Sequence, residues 1–135
     1  MSPAFELQLA GERFAPGARV SGSVVVIGGG GSRTLEVALE FHEKSPDYEE
    51  VPVRVPQTLH TGDVKTGQSL PFSLELPADA LPGYRSANGE LYWELDAKSD
   101  EMGPDTHVRR RIEVVAHAGP EEEDVFAGGY DDEES

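Results

Sequence analysis

The chain contains no cysteine. That excludes disulfides, cysteine-ligated zinc and a thiol nucleophile. Lysine is nearly as scarce, with only Lys44, Lys65 and Lys98 against eight arginines. Long apolar runs are missing too: the longest strongly apolar stretch is Val24 to Ile27, far short of a membrane span. The N-terminus has no basic start followed by an apolar stretch, so no secretory signal is expected and the cytoplasm is the expected location. No stretch sustains a 3.6-residue apolar period, which removes amphipathic helices from the expected architecture.

Negative charge is plentiful. The formal net charge is −15, of which −8 lies after Ala116, leaving −7 on residues 1–116. Such a field repels nucleic acid and anionic lipid and favours neutral or basic protein partners. The mean hydropathy of −0.45 fits a water-soluble chain. Its 135 residues are enough for one domain with its own core. The expected division is a domain over 1–116 and an acidic, flexible tail over 117–135.

Period-two alternation recurs along the domain. Phe5, Leu7 and Leu9 alternate with Glu6 and Gln8. Arg19 to Ile27 follows a turn at Ala15-Pro16-Gly17. Leu35 to Phe41, Val51 to Val55, Phe72 to Leu76, Leu91 to Lys98 and Val108 to Val114 complete the set. Alternation means one dry face and one wet face, the habit of antiparallel sheets. A single sheet would leave its dry face exposed, so two must stack. An all-β, immunoglobulin-like antiparallel sandwich of seven to eight strands is expected. Pro52 cannot donate to a ladder, so the Val51–Val55 strand is expected to lie at an edge or to be irregular. Asn88-Gly89 is expected to supply left-handed residues for a tight turn. The segment from Pro77 to Pro82 has room for at most one helical turn.

Order and punctuation carry a resemblance. Phe5 to Leu9, then Phe14-Ala-Pro-Gly17 and Val20-Ser-Gly-Ser-Val24, resemble an opening strand, a "PG" turn and a "V-x-G-x-V" strand. Pro71-Phe-Ser-Leu-Glu-Leu-Pro77 resembles a "PF-x-[FL]-x-LP" strand. Pro82-Gly-Tyr84 and Asn88-Gly-Glu-Leu-Tyr-Trp93 follow in place, and Ile112-Glu-Val-Val115 closes the series. Together they are similar to the arrestin N-terminal domain, an architecture shared with the sporulation-control proteins and the Vps26-like retromer subunit. The resemblance spans Phe5 to Val115. It implies the arrestin-type sandwich and a binding role without catalysis. The resemblance implies that Arg109 falls at the arginine of the arrestin polar core, whose acidic partners come largely from a second domain that these 135 residues are not expected to hold. The opening strand carries no lysine, so phosphate sensing of the arrestin kind is not expected.

Gly28-Gly-Gly-Gly31-Ser32 lacks the helix and the lysine of a phosphate loop, and is expected to be a flexible hairpin loop. His42, His60, His107 and His117 form no H-x-H or H-x-x-x-H pair, so surface histidines without metal are expected; His60 with Asp63 is the nearest grouping. Glu40, Glu43, Glu49 and Glu50 look like solvated strand ends rather than a catalytic pair. No G-x-S-x-G elbow occurs. No enzyme, no cofactor and no metal are expected.

The site residues singled out are Arg109, Arg111, Val125, Phe126 and Tyr130, all for protein binding. Arg109-Arg110-Arg111 is the one basic cluster. Arg109 and Arg111 share a strand face; Arg110 points with Val108 and Ile112 and needs an acid or a route to water. In the tail, Val125-Phe126 and Tyr130 interleave with acids. The Val-Phe pair resembles the acid-flanked segment of arrestin C-tails that lies back on the N-domain as an added strand, which would let it dock on an edge with Arg109 or Arg111 meeting the acids. The expected function is a non-catalytic adaptor or scaffold that binds a protein, not nucleic acid or membrane, by a sheet edge or concave sheet face. Sheet edges also give a route to homo-oligomers. The alternative is a carbohydrate- or small-ligand-binding sandwich that stacks sugars on exposed tyrosines, for which Tyr48, Tyr84, Tyr92 and Tyr130 are the candidates.

Overall fold

The computed structural model describes residues 2–115, and these form two packed sheets without a helix. Nine strands run in chain order: β1 Ala4–Leu9, β2 Arg13–Phe14, β3 Arg19–Gly28, β4 Thr34–Lys44, β5 Glu49–Thr61, β6 Ser69–Glu75, β7 Tyr84–Ser86, β8 Gly89–Asp100 and β9 Thr106–Val114. The smaller sheet has the order β1-β3-β6. The larger has the order β2-β9-β8-β4-β5, with β7 paired to β8. All pairings are antiparallel except β2 with β9, which is parallel. Val125, Phe126 and Tyr130 lie outside the described residues, as does the whole segment 117–135.

The alternating residues meet between the sheets. Phe5, Leu7, Val20, Val24, Phe72 and Leu74 come from the smaller sheet; Leu35, Val37, Leu39, Trp93, Leu95 and Ile112 face them from the larger. Trp93 is fully enclosed at the centre, with its ring centroid 4.9 Å from that of Phe41. Its indole N–H donates to the Leu81 carbonyl at 2.7 Å. A buried polar atom is thereby satisfied, and the Pro77–Pro82 segment is pinned to the core. That segment is a turn, not a helix, with the Ala80 amide donating to the Pro77 carbonyl at 3.0 Å.

Each expected strand is present, and β5 is an edge as Pro52 requires. It carries a second proline, Pro56, and its ladder to β4 shifts register twice. Two expectations need correction. Gly28–Ser32 is not a hairpin loop, because β3 and β4 lie in different sheets. It is a crossover that packs on the segment after β5: Gly30 bridges to Val64, and the Gly29 amide donates to Thr66 Oγ1 at 2.9 Å. A side chain at Gly29 would meet the Val64 carbonyl at 2.9 Å, so close backbone approach is what demands glycine there. The β7–β8 turn also falls one residue early. Ser86 pairs with Gly89, so Ala87 and Asn88 make the bend. Gly89 is already in the strand, where a Cβ would lie 2.7 Å from the Lys44 carbonyl.

Candidate binding surfaces

The register of the larger sheet writes its outer face as rows. Arg54 on β5, Glu40 on β4, Glu94 on β8 and Arg111 on β9 stand side by side. The next row sets Asp96 beside Arg109; the one beyond sets Glu36 beside Lys98 and His107. On the other side, His42 stands beside Tyr92. Acids on the two middle strands are thus flanked by arginines on the outer ones.

The pairs are short. Arg54 donates to Glu36 Oε2 at 2.5 Å and to Glu40 Oε2 at 3.3 Å. The hydrogen bond to Glu36 is the main reason the guanidinium is held more firmly protonated than usual. Arg111 donates to Glu90 Oε2 at 2.7 Å, which raises the arginine and lowers the carboxylate. Arg109 reaches Asp96 at 3.8 Å, while His107 Nδ1 lies 3.0 Å from the same carboxylate. Arg109 and Arg111 therefore share a face, as their alternation requires, and both are engaged within the chain.

Two residues of this face are not where the sequence suggests. Glu40 is 9% exposed and His42 is 7% exposed, so Glu40 is not a solvated strand end and His42 is not a surface histidine. Both sit mid-strand, shielded by the long side chains around them. The His42 ring stacks on Tyr92 at 4.7 Å between centroids and 5° between planes. The Arg111 guanidinium lies 3.6 Å from the Tyr92 centroid. That sandwich occupies Tyr92 and takes it from the tyrosines considered for sugar stacking. Glu94 stands opposite Glu40, a like-charge pairing that costs stability unless something positive intervenes. Burial pushes the Glu94 carboxyl up, and the nearby charge of His42, Arg109 and Arg111 only partly offsets this. The His60–Asp63 grouping is a loop contact instead: the imidazole meets the Asp63 backbone carbonyl at 3.0 Å, and the Asp63 side chain accepts from the Ser32 amide.

Arg110 is placed by the opposite face of β9. It points toward the smaller sheet and leaves the core at the seam between β1 and β9. There Nη1 approaches the Leu7 carbonyl at 3.5 Å and Nη2 lies 4.0 Å from Glu12, with the side chain 43% exposed. The expected docking of the tail paired an edge strand with Arg109 or Arg111. The cation beside the β1 edge is Arg110, and the other two lie across the larger sheet from it.

The edges are unequal. β5 carries Pro52 and Pro56. β6 carries Pro71, and its Ser73 amide already donates to Gln57 Oε1 from β5 at 3.3 Å. β2 is two residues long. β1 has six residues, no proline and a single neighbour strand. The Ala10 amide donates to Ser21, and the Leu7 carbonyl turns toward Arg110. By alternation, the N–H and C=O groups of Phe5, Leu7 and Leu9 therefore face away from β3.

Two stacked antiparallel sheets with this strand order define an arrestin-type β-sandwich. Among solved structures, the chain resembles the sporulation control protein Spo0M from Bacillus subtilis, with a TM-score of 0.61 and 23% identity. The match covers 87% of this chain and 51% of that one, so the chain spans about half of its neighbour's length. At that identity the likeness establishes the fold, which is the one the motifs from Phe5 to Val115 suggest. A β-glucosidase from Erythrobacter marinus also aligns, at 21% identity over 84% of this chain and 16% of that one, but its TM-score of 0.33 carries no argument. No protein-family model and no curated protein matches the chain.

Proposed function

We propose that this chain is a non-catalytic protein-binding module of adaptor or scaffold type, and that an extended peptide adds to the free edge of β1. The unguarded edge carries the reading. Exposed strand edges are normally blocked by proline, bulges, shortness or a cover. β5, β6 and β2 show those blocks; β1 has six residues and no proline, with its one irregularity at the Ala4/Phe5 end and Arg110 beside the Leu7 carbonyl. The outward N–H groups of Phe5, Leu7 and Leu9 and the carbonyls of Phe5 and Leu9 offer main-chain hydrogen bonds, the source of affinity in strand addition, while Arg110 approaches the Leu7 carbonyl. Arg110 stands beside them to meet an acidic side chain or terminal carboxylate.

Two occupants fit this chemistry from within the chain: its own Val125-Phe126 segment, with Tyr130 and the acids around it, or the β1 strand of a second copy. Arg109 and Arg111 would act on the other surface, where a partner would have to displace Asp96 and Glu90. A net charge of −15 supports a protein partner over nucleic acid, and the reading places the module in the cytoplasm.

The test is Leu9→Pro in the full chain, which removes one outward edge donor and leaves the β1–β3 ladder intact. Partners are captured from an extract of the native host, and amide exchange is followed at Phe5, Leu7 and Leu9. The proposal requires partner capture to drop with Leu9→Pro and those three amides to slow in the complex. Capture that survives the substitution, with exchange at β1 unchanged, sinks it. Slow exchange that disappears on deleting residues 117–135 identifies the chain's own tail as occupant. Slow exchange that depends on protein concentration identifies a second copy.

A further inference from the structure

On the outer face of the larger sheet, three donor atoms converge from two adjacent strands. His42 Nε2 lies 3.1 Å from Glu40 Oε1 and 3.4 Å from Glu94 Oε1, and all three atoms fall within 4.8 Å of one another. A single ring N–H cannot serve two carboxylates well. Among the described residues, Glu94 accepts no hydrogen bond, although its side chain is only 13% exposed. Its nearest partner is the one imidazole nitrogen that Glu40 already holds. One positive centre of more than one unit charge, placed between the three atoms, would satisfy both acids together.

We propose that Glu40 Oε1, His42 Nε2 and Glu94 Oε1 bind one divalent cation of the zinc class. Zinc–ligand bonds of 2.0–2.1 Å put tetrahedral ligands about 3.3 Å apart, which the two measured separations bracket. The third separation closes by rotation of the Glu94 carboxyl, which no hydrogen bond restrains. Imidazole with carboxylate oxygen is a donor set that suits zinc. Three protein ligands leave a fourth position to water.

The surroundings are those of a supported metal ligand. His42 Nδ1 lies 3.4 Å from Glu49 Oε2, so the ring can donate there and present Nε2 unprotonated to the cation. Tyr92 stacks on the ring and fixes its plane. The second oxygen of Glu40 accepts from Arg54 Nε at 3.3 Å, which fixes that carboxylate while Oε1 faces His42 Nε2. The charge balance is favourable too. Glu40, Glu49 and Glu94 each lie within 3.4 Å of a His42 ring nitrogen; Arg54 contacts Glu40, and Arg109 and Arg111 add positive charge near Glu94 without a direct contact. A cation here would tie β4 to β8 at the centre of the sheet. The site lies across the larger sheet from the β1 edge and does not depend on that edge being used.

The test uses the full chain and zinc chloride, titrated against a chromophoric chelator at neutral pH. One equivalent is expected to bind, with the midpoint of thermal unfolding rising when it does. Glu49→Gln is expected to weaken binding about 10- to 100-fold, as losses of an orienting carboxylate do. Glu94→Gln and His42→Gln should weaken it further. His60→Ala and His107→Ala should leave it unchanged. Binding that is indifferent to Glu94→Gln and His42→Gln, as capture by the acidic tail would be, overturns the proposal. Where a variant fails to fold, imidazole nitrogen resonances of the wild-type chain decide. Saturating zinc must shift His42 Nε2 to a metal-bound position with Nδ1 protonated. Unchanged His42 resonances overturn the site.

Discussion

Replacing Gly22 by alanine puts a methyl group where the backbone of β1 already lies. Gly22 sits mid-way along β3, between Leu9 on one side and Phe72 on the other. An added Cβ would collide with the Gln8 carbonyl oxygen and stand 3.1 Å from Phe72 Cζ. Phe72 can give way by a rotamer shift, but the Gln8 carbonyl belongs to the ladder. Relief therefore requires β1 to move off β3. Overpacking of this kind costs about 1–3 kcal/mol, and each ladder hydrogen bond stretched adds about 1 kcal/mol. The stiffer unfolded chain of the alanine variant returns about 0.4–1 kcal/mol. The net loss is about 2–4 kcal/mol, a large share of the 5–15 kcal/mol typical of a domain. Urea unfolding followed by the fluorescence of Trp93, the one tryptophan, reads this directly. With a slope of about 1–3 kcal/mol/M for small proteins, the midpoint should fall by roughly 1–2 M. Gly11→Ala is the control, since its Cβ would find only ordinary contacts at 3.9 Å on Phe14. A Gly22→Ala midpoint within a few tenths molar of wild type refutes the collision. An equal loss in Gly11→Ala would show that the glycine effect is not steric.

Trp93→Phe removes the indole N–H and frees the Leu81 carbonyl. A loss of about 1 kcal/mol from the hydrogen bond is expected, together with a smaller ring's packing deficit, measured by circular dichroism in urea. Faster amide exchange at Ala80 should accompany it, because the 77–82 turn loses its anchor. Glu94 gives a pH dependence in the cation-free chain. Its carboxyl is raised above the usual 4.5 by burial, so the folded state binds the proton more tightly than the unfolded one. Its contribution is then fully present below the ordinary carboxylate range and is lost as pH rises through the raised folded value. Stability of wild type relative to Glu94→Gln should fall across that window, in chemical denaturation at a series of pH values. A flat difference would mean that the carboxylate has a partner.

Period-two patterning exposed β1, β3, β4, β5, β6, β8 and β9, because each is long enough to show alternation. β2 and β7, at two and three residues, are too short to carry a pattern. Pro52 located the β5 edge because a missing donor has the same consequence in any sheet. Gly28–Ser32 misled because a polyglycine run looks the same in a hairpin as in a crossover between sheets; strand order decides, and order is a long-range property. The face shared by Arg109 and Arg111 was legible from alternation, and the partners of both were not, because register sets Asp96 opposite Arg109 while the Arg111 side chain reaches Glu90 further along β8. The cluster around His42 shows the same division. Glu40 and His42 stand two apart in one strand, a visible sign that both point to one face. Glu94 is more than fifty residues away, and only the β4–β8 register brings it opposite Glu40. Burial of that face could not be read at all, since it comes from neighbouring long side chains and not from an apolar sequence.

The parallel pairing of β2 with β9 joins Arg13 to Glu113 and Phe14 to Val114. A two-residue strand adds little surface, yet it closes a loop of about 100 residues, and long loop closures carry entropy that must be met before their contacts form. During synthesis the smaller sheet is complete once β6 has emerged at Glu75. The larger sheet cannot engage its β2 edge until Val114 is made. At about 5–20 residues per second this leaves a half-built sandwich waiting for seconds with Phe14 unpaired. Truncations before Val114 should therefore leave Phe14 without its partner strand and lower the stability of the sandwich. The last strand acts as the latch on the assembly of the domain.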